Sequence, residues 1–127
     1  REAEVERLVL YYPALCIPDD ARRGHMINAK FDPDHVPERF RALFVRRGAK
    51  YALDARGLDP FREICGFSKP VLIVHGTKDR LVDIRYSRRA AQEYPNCHLV
   101  EVKGDHGFIF SGFAAGRAAT IEFLREK

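Results

Sequence analysis

Between Pro70 and Gly76 the chain runs Val71, Leu72, Ile73, Val74, His75. Four consecutive apolar residues cannot alternate between a core face and a solvent face. The run therefore reads as a strand buried on both sides, as strands of a parallel sheet are. The proline before it and the glycine after it bound it at strand length. Two other segments read as strands. Leu8 to Tyr12 is a short apolar run ended by Pro13. His98 to Val102 is interrupted by Glu101, which suits an edge strand better than a central one. Between the second and third strands, Ser87, Ala90, Ala91 and Tyr94 recur at helical spacing, and Pro95-Asn96 closes the pattern. After the third strand, Phe113, Ala114, Ala118, Ile121 and Leu124 form a second helical stripe. Strand, helix, strand, helix is a βα repeat, which places the chain in the α/β class with a parallel sheet and right-handed crossovers.

Residues 16–67 have a different texture. They hold Pro18, Pro33, Pro37 and Pro60, and glycines at 24, 48, 57 and 66. Within them, Glu38 to Val45 is predicted to form a helix with Phe40, Leu43 and Phe44 on one face, and Ala52 to Ala55 a short helical turn. This interval is far longer than an ordinary crossover. An insertion sitting over the sheet accounts for it. The expected organisation is a core strand in residues 1–15, a cap or lid insertion in 16–67, and a C-terminal βαβα core in 68–127.

Several function classes lose support on composition. The net charge is +4, from 22 basic and 18 acidic residues. The arginines fall in scattered pairs (Arg22-Arg23, Arg46-Arg47, Arg88-Arg89), not in a run. That is the pattern of a solvated surface, so no nucleic-acid partner is expected. No segment approaches the roughly 18 apolar residues of a membrane span, and no membrane association is expected. Cys16, Cys65 and Cys97 are far apart with no CxxC, and His25, His35 and His98 lack ligand spacing. Neither a metal nor a cofactor is expected. Free thiols suit a reducing, cytoplasmic setting. The opening Arg1-Glu2-Ala3-Glu4, without Met, reads as the middle of a longer protein.

The chemistry gathers at the ends of the second and third strands. Asp79 lies in the loop just past Val71–His75, in His75-Gly76-Thr77-Lys78-Asp79. His106 follows the third strand in Gly104-Asp105-His106-Gly107-Phe108. Adjacent parallel strands put both loops at one edge of the sheet, where sites form in open α/β folds. An acid and a histidine meeting there can work as a pair. The carboxylate fixes the imidazole tautomer and stabilises the imidazolium formed when the ring takes a nucleophile's proton.

These two motifs resemble the tail of the α/β-hydrolases, and the cinnamoyl and feruloyl esterases among them. The likeness runs over essentially the whole chain. It implies that Leu8–Ala14, Val71–His75 and His98–Val102 correspond to the family's last three strands, with Arg1–Arg7 ending the helix that follows the nucleophile. It implies the triad order serine, aspartate, histidine, with Asp79 as the acid and His106 as the base. It also implies that the 16–67 insertion is a cap over the acyl pocket, in which Asp20 and Tyr51 would bind phenolic hydroxyls. A carboxylate and a phenol can both serve there.

The sequence departs from the family at three places. Asp105 precedes the base where a small residue is usual, and a second carboxylate there could favour imidazolium. Asp83 stands where proline is common. No Gly-X-Ser-X-Gly occurs around Ser68, Ser87 or Ser111, and Ser68, just before a strand, cannot form a nucleophile elbow. The resemblance thus implies a serine ester hydrolase acting on a small-molecule ester, with its nucleophile upstream of Arg1 and the 127-residue chain inactive alone. The strand Leu8–Tyr12 would then be an open apolar edge prone to self-association. A non-catalytic binding or assembly domain on the same scaffold, or a peptidase- or lipase-type hydrolase, remains an alternative.

Overall fold

A computed structural model of the chain describes residues 4–126. The elements along it are β1 (Leu8–Tyr11), α1 (Ile17–Arg23), β2 (His25–Met26), β3 (Ala29–Lys30), β4 (Arg39–Ala42), β5 (Val45–Gly48), α2 (Ala49–Arg56), α3 (Pro60–Ile64), β6 (Val71–Gly76), α4 (Arg85–Glu93), β7 (Cys97–Val102) and α5 (Phe113–Arg125), with a short 3-10 turn at His106–Phe108 before α5. They divide into two compact units. One comprises the residues before Leu15 together with those from Phe61 on, and the other is Leu15–Pro60.

The first unit is a three-stranded sheet in the order β1-β6-β7. Both pairings are parallel, with Leu8 beside Val71, Tyr11 beside Val74, and Val71 to Gly76 beside Cys97 to Val102. This is the parallel α/β sheet that the βα repeat implied. All six residues of the central strand β6 are buried, which is why its side chains can be apolar without alternation. Leu72, Val74, Val102, Phe108 and Phe123 form the core, with Val9, Tyr11, Tyr12 and Val100 packed against it. Each large side chain buried there contributes about 1.5–3 kcal/mol. Helix α5 approaches through Gly116, where a Cβ would press on Val74, Phe108 and Tyr11. The Tyr11 hydroxyl sits 3.2 Å from the Gly116 carbonyl and 2.5 Å from Thr120 Oγ1. Helix α4 buries Tyr86, Ser87 and Ala90, and Arg88 grips Glu101 of β7 with two hydrogen bonds of 2.7 and 3.0 Å.

The N-terminal expectation can be followed only in part. Arg1–Ala3 lie outside the described residues. Val5 to Arg7 are not helical. They lead into β1, and the Arg7 guanidinium donates to the Phe123 carbonyl at 3.0 Å.

The second unit contains α1, α2 and two small antiparallel hairpins, β2-β3 and β4-β5. Its core is Ala21, Met26, Ala52 and Ala55, with Ile17, Phe31, Val36 and Phe40 against it. The helix predicted over Glu38 to Val45 is instead the β4-β5 hairpin, in which Arg39 pairs with Gly48 and Ala42 with Val45. Leu43 takes a left-handed φ of 53° in the turn, as a two-residue hairpin loop requires. Its N–H donates to Asn28 Oδ1 at 2.6 Å. The residues that looked like an apolar helix face are not one, since Phe44 is 93% exposed at the hairpin tip.

Candidate active site

The backbone brings two loops together at the C-terminal edge of β6 and β7. Thr77 N–H donates to the Val102 carbonyl at 2.8 Å, and Lys78 N–H to the Gly104 carbonyl at 2.9 Å. The approach is so close that a Cβ on Gly76 would collide with the Gly104 carbonyl. Glycine there is a steric requirement of the site.

Asp79 is fixed within its own loop. Its Oδ1 accepts the N–H groups of Leu81 and Val82, both at 2.9 Å. Its Oδ2 is thereby turned to the second loop, where His106 Nδ1 lies 2.8 Å away. The Asp79 side chain is fully buried and that of His106 is 31% exposed. Burial pushes the Asp79 carboxyl up. The Val82 N–H, the His106 imidazole and the Leu81 N–H outweigh it, and the net pKa falls below the ordinary carboxylate value. An ionised carboxylate can only accept. The proton of this contact therefore sits on His106 Nδ1, which leaves Nε2 with the free lone pair. The arrangement is that of a carboxylate-oriented base: an imidazole held by one nitrogen, able to take a proton at Nε2 beside a fixed negative charge.

A buried histidine supports the acid's loop. His75, fully buried, donates from Nε2 to the Val82 carbonyl at 3.1 Å, and the same nitrogen lies 3.2 Å from Asp79 Oδ2. Nδ1 then accepts from the Ser87 hydroxyl at 2.6 Å. Burial pushes the His75 pKa below the usual imidazole value, against the Val82 carbonyl and the Asp79 charge. His75 lies near the end of the buried strand β6, and sequence reasoning missed its contact with Asp79. It also missed Tyr12, whose ring centroid is 4.7 Å from that of His106. The available signal was its place at the C-terminal end of a parallel strand.

The departures from the family pattern find local partners. Asp105 Oδ1 accepts the Phe110 N–H at 3.3 Å. Asp83 Oδ1 accepts the Arg85 N–H at 2.9 Å. Ser87 is committed to His75. Asp20 and Tyr51 belong to the second unit, on α1 and α2. Asp20 Oδ1 is 2.7 Å from Arg23 Nη2, and the Arg47 guanidinium lies 5.2 Å over the Tyr51 ring. Among the described residues no hydrogen bond joins Asp20 to Tyr51, and no group of three His, Cys, Asp or Glu side chains could hold a metal ion. Among the described residues, no helix is long and apolar enough to cross a membrane.

No protein-family model and no curated protein matches the sequence. Solved structures do. Est1E from Butyrivibrio proteoclasticus superposes with a TM-score of 0.85 at 27% identity, over 98% of this chain and 54% of that one. The same enzyme with ferulic acid bound gives 0.85 at 28%, over 96% and 51%. The enol-lactonase of Burkholderia xenovorans LB400 gives 0.60 at 21%, over 96% and 57%, a likeness of fold alone. The chain thus spans about half the length of Est1E. By this fold and these likenesses, the chain carries the C-terminal portion of an α/β-hydrolase fold.

Proposed function

We propose that this chain is the acid–base part of a serine carboxylic-ester hydrolase acting on hydroxycinnamate esters. The observation that carries the reading is the 2.8 Å contact between His106 Nδ1 and the buried Asp79 carboxylate. In the proposed reaction a serine outside these residues attacks the ester carbonyl. His106 Nε2 takes the serine proton and then gives it to the departing alcohol. Asp79 takes no proton; it holds the Nδ1–H and offsets the imidazolium charge. Backbone N–H groups near the serine hold the oxyanion. Asp20 and Tyr51 engage the phenolic ring of the acyl group. The ferulic acid held by Est1E supports the choice of acyl group.

The outer edge of β1 carries no strand among the described residues. In the chain by itself, that edge pairs with a second copy.

The test is hydrolysis of p-nitrophenyl acetate and methyl ferulate, with the intact mass checked and the sample passed through a sizing column. The 127-residue chain is expected to elute as a dimer or larger and to turn over neither ester. Joined to an upstream half bearing Gly-X-Ser-X-Gly, it is expected to hydrolyse methyl ferulate, with a loss of roughly ten-thousand-fold in kcat on Asp79→Asn. Turnover by the pure chain, abolished by His106→Ala, would place a nucleophile within these residues and overturn the proposal. A monomer at high concentration would remove the edge-pairing part of it.

A further inference from the structure

The side-chain alternation of β1 breaks at its end. Consecutive strand residues point to opposite faces, yet Tyr11 and Tyr12 both set their rings against Phe108, at 5.7 and 5.2 Å between centroids. Tyr12 reaches that side because its backbone is left-handed, with φ at 40°. That region is sparsely populated by residues other than glycine. The residue is nonetheless pinned, since its N–H donates to the Val74 carbonyl at 2.8 Å. Local strain of this kind persists only where surrounding contacts over-determine it. Here it delivers a ring to the base. The Tyr12 and His106 rings lie 4.7 Å apart, inclined at 54°, while Phe108 meets Tyr12 edge to face at 79°.

We propose that Tyr12 is a positioning residue for His106, its ring holding the imidazole in the orientation that meets Asp79 and favouring the imidazolium once Nε2 has taken a proton. The inference rests on the reading of His106 as the base. The imidazole has one carboxylate anchor, at Nδ1, which by itself leaves the ring free to swing about that bond. A second contact on the ring removes the freedom. An aromatic ring also attracts a cation brought against it, by a factor of about two- to fivefold at a partly exposed site. The other titratable groups around His106 are Asp79 and His75 from β6 and its loop, and Asp105 beside it, whose carboxylate accepts the Phe110 N–H.

Imidazole NMR of the 127-residue chain tests this without any catalytic assay. In the unaltered chain, cross-relaxation between the Tyr12 and His106 ring protons is expected; its absence overturns the proposal whatever the variants do. In Tyr12→Leu the ring-current displacement of the His106 protons disappears. At a fixed pH within its titration, the imidazolium-to-imidazole ratio of His106 drops about two- to fivefold. Tyr12→Phe keeps both properties. A Tyr12→Leu chain with unchanged His106 signals and ratio would overturn the proposal. Asp79→Asn separates the two ideas. If it leaves the His106 ratio untouched, the acid–base reading fails while the Tyr12 contact stands on its own measurement.

Discussion

The two units solve the problem of a small core in different ways. The sheet unit surrounds one strand with large side chains: Val71, Leu72, Ile73 and Val74 are each at most 1% exposed, and ladders run along both sides of β6. The second unit has little ladder and fills its centre with Ala21, Ala52 and Ala55 around Met26. Small side chains allow α1 and α2 to pack closely but remove little apolar surface from water. Arginines then tie the irregular segments together. Arg22 donates to the carbonyls of Arg56 and Leu58 at 3.1 and 2.8 Å, and Arg56 donates to the Pro33 carbonyl. Bonds of that kind contribute about 0.5–1.5 kcal/mol each. The difference teaches that the strand carrying Asp79 at its end is held by large buried side chains and two ladders, while the other unit is held by shape and by polar ties.

The sharpest way to break this comparison is to empty the first core. Ile73→Ala is expected to lower unfolding stability by about 2–5 kcal/mol, read from urea unfolding. The second unit should respond instead to crowding. Ala52→Leu is expected to lose about 1–3 kcal/mol, with the loss of amide protection confined to Leu15–Pro60. If Ala52→Leu proves more damaging than Ile73→Ala, the contrast is wrong. Acid should narrow the gap between the units by a smaller amount. His75 has a folded pKa below the ordinary imidazole value of 6.5, so its contribution is present above about pH 6.5 and fades as pH falls through the folded value. Asp79, also depressed, follows only below the ordinary carboxyl value of 3.8. Between these windows, hydrogen-exchange protection factors in β6 are expected to fall while those in α2 hold. His25 is exposed, and so is His35, paired with Asp32 on the surface.

How much of this was legible beforehand follows the same divide. Val71 to Val74 announces a central strand because no other arrangement hides four apolar residues in a row. Once that strand is placed, parallel pairing carries Asp79 and His106 to one edge, and they do meet. Phe40, Leu43 and Phe44 misled because their spacing suits a helix face and equally the two sides of a hairpin and its tip. Sequence spacing contains nothing about Asn28, whose side chain takes the Leu43 N–H. Tyr12 was readable only as a residue at the C-terminal end of a strand. The strand pattern assigns it to the face opposite Tyr11, and only its left-handed φ places it beside the base.

The neighbour relation of β1 and β6 has a further consequence. Their ladder fixes Leu8 against Val71, yet it takes no account of how many residues separate them. Loop-closure entropy rises only with the logarithm of that interval, so doubling it costs about 0.6 kcal/mol. The intervening segment can therefore be lengthened, trimmed or replaced as a cassette while Tyr12, Asp79 and His106 keep their register. Changes in the length of that segment can accumulate through evolution without disturbing the ladder that holds those three residues.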